Sequence, residues 1–271
     1  MNEGEPLVSD GVTQGIVRIG DTVRRPLRPF SLTVQAYLAH LRDAGFTGAP
    51  LPLGIDEQGR EVLSFVPGDV LRHRPPETAG DDVLVALARM IRALHDASEG
   101  WEPPPDAVWG TTPANKGRPA GQETELVTHC DYAPGNVVFR DGLPAALIDF
   151  DLAHPTTRVY DLANALWFWA PLRDPRDRAP AFVTADVPHR AAVFADAYGM
   201  TAGQRAGLAP MAVDIARRYH EDSRVSAELD PVWRKIWEDG ANIFLPRAEA
   251  WVREIAPAIT ARLTGPVSPS P

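Results

Sequence analysis

The chain has 271 residues, a formal net charge of −9 and a single cysteine, and of its 27 basic side chains only Lys116 and Lys235 are lysines. This length allows one large domain or two small ones with a full core, so no disulfide or metal staple is needed, and Cys130 alone cannot form an internal disulfide, which fits a reducing, cytoplasmic setting. The acidic balance argues against a nucleic-acid partner, the longest apolar run is too short for a membrane span, and no signal peptide is visible; a lysine-dependent mechanism would have to use Lys116 or Lys235, neither in a glycine-rich or strand-like setting.

The first 66 residues read as strands around one helix. Residues 15–19 and 21–25 are short strand-like runs separated by Gly20, a hairpin pattern. Residues 33–44 follow as a helix, because Val34, Tyr37, Leu38 and Leu41 recur at helical spacing; Ser31 stands at the N-cap position and Gly45 ends it. Residues 51–54 and 61–65 read as two more strands, and Pro67-Gly68 breaks the pattern. From there the chain turns mainly helical. Residues 81–97 carry Leu84, Leu87, Ala88, Ile91 and Leu94 on one stripe, and His95 near the end of this helix reads as a packing residue. The tail, residues 265–271, has the composition of a disordered segment. A sheet-rich part (1–66) joined to a helix-rich part (67–264) leaves a cleft between them, a natural ligand site.

The informative segment is 127–166. Two strand-like runs, 137–139 and 145–148, have Asp141-Gly142 between them, a strong two-residue hairpin signal. Folding the hairpin about that turn sets Arg140 opposite Leu143, Phe139 opposite Pro144 and Asn136 opposite Leu147. Asp149 then lies at the mouth of the hairpin beside Asn136, with Asp131 on the loop that feeds it. One amide oxygen and two carboxylates at one end of a rigid element suit Mg²⁺ and phosphoryl transfer: one carboxylate takes the proton of the attacking hydroxyl, the other and the Asn hold metal. A zinc site from His129, Cys130 and His154 fits no common ligand spacing.

The pattern His129-x-Asp131-x-x-x-x-Asn136, followed by Asp149-Phe150, has kinase spacing. With Ile148-Asp149-Phe150 and Tyr160-Asp161-Leu162-Ala163 it resembles the aminoglycoside phosphotransferase/choline kinase superfamily of small-molecule kinases. The resemblance implies an α+β, protein-kinase-like fold with a small antiparallel sheet lobe and a larger helical lobe. It implies ATP (or GTP) and Mg²⁺ as cofactors and a small-molecule hydroxyl acceptor such as an antibiotic, amino alcohol or sugar. Position by position it makes Asp131 the general base and Asn136 and Asp149 the metal ligands. His129 and Asp161 brace the loop. In the nucleotide lobe it calls for a basic residue on the third strand, here Arg24 or Arg25, and the family pattern of an apolar residue before the basic one favours Arg24. Residues 11–15 stand for the glycine-rich loop, and Ser64, Phe65 and Val66 for the hinge that meets adenine.

Three departures stand out. The helix at 31–44 carries no Glu to pair with the arginine, and Gln35 occupies about that position. Asp151 replaces the glycine after Asp149-Phe150, as a further carboxylate or a turn cap. Cys130 stands where many relatives carry glycine. The first two departures motivate an alternative, a nucleotide- or ligand-binding module with little or no activity. Protein-kinase activity is disfavoured, since no A-P-E motif follows Asp149. The tryptophans at 167, 169, 233, 237 and 251 read as helix core, and acids at 221, 222, 230, 238 and 239 as a solvated face rather than a cradle for a cation. The acceptor and the oligomeric state are not legible.

Overall fold

The computed structural model describes residues 4–7, 15–71, 80–115 and 124–265. Most of the 11–15 loop, Lys116 and residues 266–271 of the tail lie outside them. Strands β1 (Glu5–Pro6), β2 (Val17–Ile19), β3 (Thr22–Pro26), β4 (Pro52–Ile55) and β5 (Arg60–Ser64) form one sheet in the order β1-β2-β3-β5-β4, with all pairs antiparallel. Helix α1 (Ser31–Asp43) crosses from β3 to β4. Its apolar stripe, Val34, Tyr37, Leu38 and Leu41, is fully buried, as helical periodicity requires. Ser31 is the first helical residue rather than the N-cap, which is Phe30; the Ser31 hydroxyl accepts the Arg28 amide and turns towards the sheet.

The chain leaves this sheet after Ser64 and joins a second one. β6 (Asp69–Val70) pairs with β8 (Val137–Arg140), which pairs with β9 (Leu143–Leu147). Gly68 makes the crossing at φ +140°, where a Cβ would stand 2.5 Å from the Phe139 carbonyl oxygen, so only glycine passes. Helix α2 (Asp81–Ser98) buries Leu84, Leu87, Ala88, Ile91 and Leu94. Tyr37 ties α1 to this layer by donating to the carbonyl of Val127, at 2.9 Å, with Ser98 Oγ also 2.5 Å from its hydroxyl. β7 (Leu126–Thr128) pairs with β10 (His154–Thr156) beneath the site. The rest is helical: α3 (Arg158–Trp169), α4 (Val187–Tyr198), α5 (Ala202–Leu229), α6 (Pro231–Ile236) and α7 (Asn242–Thr264). One continuous apolar core runs from α1 through α2 and α3 to α7.

The β8–β9 hairpin closes on Asp141 and Gly142, at φ +51° and +78°, as a primed turn demands. The expected pairs Arg140–Leu143 and Phe139–Pro144 are present. A bulge between Val138 and Phe139 then shifts the register, so Leu147 faces Val137 rather than Asn136. Asn136 instead meets the next residue: the Ile148 amide donates to its carbonyl at 2.9 Å, which sets Asp149 at the hairpin mouth all the same.

Candidate active site

Asp131, Asn136 and Asp149 converge on that mouth. Asn136 lies in a short 3₁₀ turn, Pro134–Asn136, and its Nδ2 donates to Asp131 Oδ2 at 2.8 Å and to the Asp131 carbonyl at 3.2 Å. The Ala133 amide reaches the other oxygen, Asp131 Oδ1, at 3.4 Å. The Asp131 carboxylate is thus oriented by its own loop. With Nδ2 engaged, Asn136 keeps its Oδ1 free of hydrogen bonds among the described residues. Asp149 sits in left-handed backbone, φ +64°, a strained conformation for a residue with a Cβ, and leaves more than a third of its side chain exposed. One amide oxygen and one carboxylate, both hard and both at the cleft, fit a Mg²⁺ that completes its shell with phosphate oxygens and water. Among the described residues no group of three or more His, Cys, Asp or Glu forms a metal cluster.

Beneath them lies a buried bracing network. His129, fully buried, accepts the Asp131 amide on Nδ1 at 3.2 Å and donates from Nε2 to the Ile148 carbonyl at 3.0 Å. That pair of bonds fixes the neutral Nε2–H tautomer. Burial pushes its pKa down, in the same direction. One ring therefore links the Asp131 loop to the strand end that carries Asp149. Asp161, on the first turn of α3 and also fully buried, accepts from the Cys130 amide at 2.9 Å, from the Tyr132 hydroxyl and from His95 Nε2 at 2.7 Å. Burial alone would raise the Asp161 pKa; the bonds from His95 and Tyr132 outweigh it and hold the carboxyl below its ordinary value. His95 is thus a buried packing histidine with both ring nitrogens satisfied, as the sequence suggested. Its Nδ1 lies 2.8 Å from the Tyr198 hydroxyl, so α2, α3 and α4 meet on one carboxylate. The bond to Asp161 fixes Cys130 at φ +60°, which a glycine would adopt without strain.

The arginine assignment changes. Arg25, not Arg24, reaches the site. Arg25 is buried, with Nη1 3.4 Å from Asp149 Oδ1 and 2.7 Å from Asp151 Oδ1. Arg24 points to the other face, where it bonds Thr22 Oγ1 at 3.2 Å and lies 3.5 Å from Asp56. Alternation along β3 places Arg25 on the face of Val23 and Arg24 on the face of Thr22, so the apolar residue that marks the inward face is Val23.

The acid missing from α1 comes from the sheet. Glu61 on β5, with no exposed surface, faces Arg25 in the strand register and accepts from its Nε at 2.5 Å. Ser31 Oγ and Gln35 Nε2, from successive turns of α1, donate to the same carboxylate at 3.3 and 3.2 Å. Helix α1 therefore grips the Arg25–Glu61 pair through neutral groups while Glu61 carries the charge. The sequence signal was an acid next to the apolar pair Val62-Leu63 in a strand-like run.

Asp151 completes the ring around Arg25. Burial, and then Asp149, push its pKa up to about 7 against the pull of Arg25. Gly110 presses on its backbone; a Cβ there would lie 1.8 Å from the Asp151 carbonyl oxygen. The hinge residues are partly committed. The Ser64 amide donates to Leu51 and the Phe65 amide to Asp21, while among the described residues the Val66 amide makes no backbone hydrogen bond, and the Phe65 ring lies 3.7 Å under the Arg18 guanidinium.

An antiparallel sheet set over a helical body, with an Asp–Asn–Asp constellation and a cross-lobe arginine between them, defines a protein-kinase-like phosphotransferase. Comparison with known proteins agrees. Residues 105–194 match the family described as "Phosphotransferase enzyme family". The trifolitoxin immunity protein of Rhizobium leguminosarum bv. trifolii is 33% identical over 248 residues, covering 88% of this chain and 92% of that one. Among solved structures, a choline/ethanolamine kinase family protein from Mesorhizobium loti superposes with a TM-score of 0.60 at 16% identity, over 92% of this chain and 88% of that one. An ADP-bound aminoglycoside phosphotransferase gives a TM-score of 0.54 at 11% identity, over 95% and 93%. The chain belongs to the aminoglycoside phosphotransferase/choline kinase superfamily and is a small-molecule kinase.

Among the described residues no helix is long and apolar enough to cross a membrane.

Proposed function

We propose that this chain transfers the γ-phosphoryl group of a nucleoside triphosphate, ATP by expectation, to a hydroxyl of a small molecule. The carrying observation is the oriented Asp131 carboxylate, held by Asn136 Nδ2 at 2.8 Å beside Asp149. Asp131 accepts the proton as the acceptor oxygen attacks the γ-phosphorus; the new P–O bond forms in line as the bond to the β-phosphate oxygen breaks, and ADP leaves. Mg²⁺ at Asn136 and Asp149 would neutralise the phosphate oxygens. Arg25 offers a planar, permanently charged donor to the phosphates in place of lysine. Its anchoring by Glu61 supplies the acid whose absence from α1 had favoured a module with little or no activity. The relative named for trifolitoxin immunity makes a toxin or antibiotic one acceptor to try, beside amino alcohols and sugars.

The test is ADP release from Mg·ATP across such an acceptor panel, with Asp131→Asn in parallel. Acceptor-dependent turnover that falls by about 10²–10⁴ in the variant is expected for loss of a general base. Turnover that survives the substitution sinks the mechanism.

A further inference from the structure

Arg18 on β2 stands on the same face of the sheet as Arg25. It faces Val23 across β2 and β3, and cross-strand partners share a face, as do Val23 and Arg25, two residues apart on β3. Val23 in turn faces Leu63 on β5. Two residues beyond Leu63 comes Phe65, whose amide donates to the Asp21 carbonyl at 2.8 Å and so keeps in line with β3. Arg25 and Phe65 therefore mark the two ends of one strip of sheet. Arg18 belongs to the end at Phe65, one row, about 7 Å, along β3 from Arg25.

The Arg18 guanidinium is held there by neutral partners. Its central carbon lies 3.7 Å above the Phe65 ring centre, a cation–π contact, and its Nε donates to the Gly20 carbonyl at 2.9 Å. Nη1 and Nη2 donate no hydrogen bond among the described residues. Two acids stand near and neither takes them. Asp21 Oδ1 is 4.0 Å from Nη2, at the limit of an ion pair, and its carboxylate is wholly exposed. Glu5, opposite Arg18 on β1, forms no ion pair with it among the described residues. The rest of the row, Val23, Leu63 and Pro52, has no polar side chain. One pair of side-chain donors is thus set, unspent, beside Phe65.

Two parallel N–H groups suit an edge that carries two acceptors side by side. The O6/N7 edge of a 6-oxopurine is such an edge. On adenine the same edge sets N7 beside a 6-amino group, so one guanidinium N–H is left against another donor. We propose that Arg18, backed by Phe65, reads the base of the phosphoryl donor at its O6/N7 edge, so that this chain selects a 6-oxopurine nucleotide over an adenine nucleotide. The proposal rests on the phosphotransfer reading, which supplies a nucleotide laid from Arg25 to residues 64–66. Arg24, on the other face, takes no part.

The test measures binding to the full chain by calorimetry, with Mg²⁺ and no acceptor, for ADP, GDP, IDP and 7-deaza-GDP. GDP and IDP share O6 and N7 and differ in the 2-amino group; they should bind alike, about tenfold or more tighter than ADP. 7-Deaza-GDP keeps O6, loses N7 and should fall between. Arg18→Met keeps a stem over Phe65, removes the donors and should bring GDP and ADP to parity. Arg18→Lys, a point donor, should retain part of the preference. Melting temperatures without nucleotide should match wild type, since 36% of the Arg18 side chain is exposed. Equal binding of GDP and ADP, a preference that survives Arg18→Met, or 7-deaza-GDP bound as tightly as GDP overturns the proposal. An Arg18-dependent preference in a chain that phosphorylates no acceptor would leave it standing and sink the phosphotransfer reading. ATP and GTP serving equally well as donors would do the reverse, and failure to bind any of the four would overturn both.

Discussion

Glu61 and Arg25 face each other across β3 and β5, and the 2.5 Å contact between them is fully shielded from water on the Glu61 side. Removing one partner of such a pair leaves the other charge buried and unmatched. Glu61→Ala should therefore cost about 3–5 kcal/mol in urea denaturation. Glu61→Gln keeps the shape and should lose kcat/KM more than stability, roughly 30-fold for about 2 kcal/mol of transition-state stabilisation. The double change Gln35→Glu with Glu61→Gln returns the charge to a side chain 3.2 Å away and should recover part of that loss. Equal damage in the single and double variants would show that the charge itself is not what positions Arg25.

Gly110 is the second lever on the same arginine. Its α-carbon is pressed against the Asp151 carbonyl so closely that any side chain must displace the loop after Asp149. Gly110→Ala should lower kcat while leaving the helical body intact, with a melting temperature within a few degrees of wild type; the backbone shift is absorbed locally by a loop whose neighbours are Phe30 and Asp151. Unchanged kcat/KM would mean that the position of Asp151 does not bear on catalysis.

What could be seen in the sequence was what is local. The spacing of His129, Asp131 and Asn136 is fixed within eight residues, and the Asp141-Gly142 turn folds the hairpin that returns Asp149 to Asn136, so the convergence of Asp131, Asn136 and Asp149 was legible from local signals. The bulge at Phe139 was not, because it arises from fitting β8 against β6 and β9 together. Nor was Glu61, since its pairing with Arg25 spans 36 residues and depends on the β3–β5 register. The choice between Arg24 and Arg25 stayed open, with a lean to Arg24, on a subtler point. Alternation supplies two faces but not which is inward, and reading the face from Val23 would have settled it. His95 was read as a satisfied packing residue and is one, but its partners, Asp161 and Tyr198, were out of reach because they come from two later helices.

Asp161 gives the loop that holds Asp131 a pH dependence. Its folded pKa is depressed below the ordinary carboxylate value, so it contributes stability at pH above about 4, the unfolded value, and that contribution is lost as pH falls through the folded pKa. Asp161→Asn should flatten the acid limb of a stability–pH profile below about pH 4 and, at neutral pH, cost about 2–4 kcal/mol, because the Cys130 amide, Tyr132 and His95 lose a charged acceptor. Urea titrations from pH 3 to 7 check both; an acid limb as steep as wild type would place the titration elsewhere.

Cys130 tests the backbone rather than the charge. Held at φ +60° by the hydrogen bond its backbone amide donates to Asp161 Oδ1, it occupies a conformation that β-branched side chains resist. Cys130→Gly should be close to neutral, relief of about 1 kcal/mol of strain offsetting the loss of a small buried side chain. Cys130→Val should destabilise by at least about 2 kcal/mol and reduce turnover, since the same strain now sits two bonds from the Asp131 loop. Burial, joined by the nearby Asp161 charge, also drives the thiol pKa well above its ordinary value, so the native protein should alkylate with iodoacetamide orders of magnitude more slowly than the urea-unfolded chain. Rapid native labelling would mean that the loop opens to solvent on that timescale, and the rigid bracing of Asp131 through Cys130 and Asp161 would then be wrong.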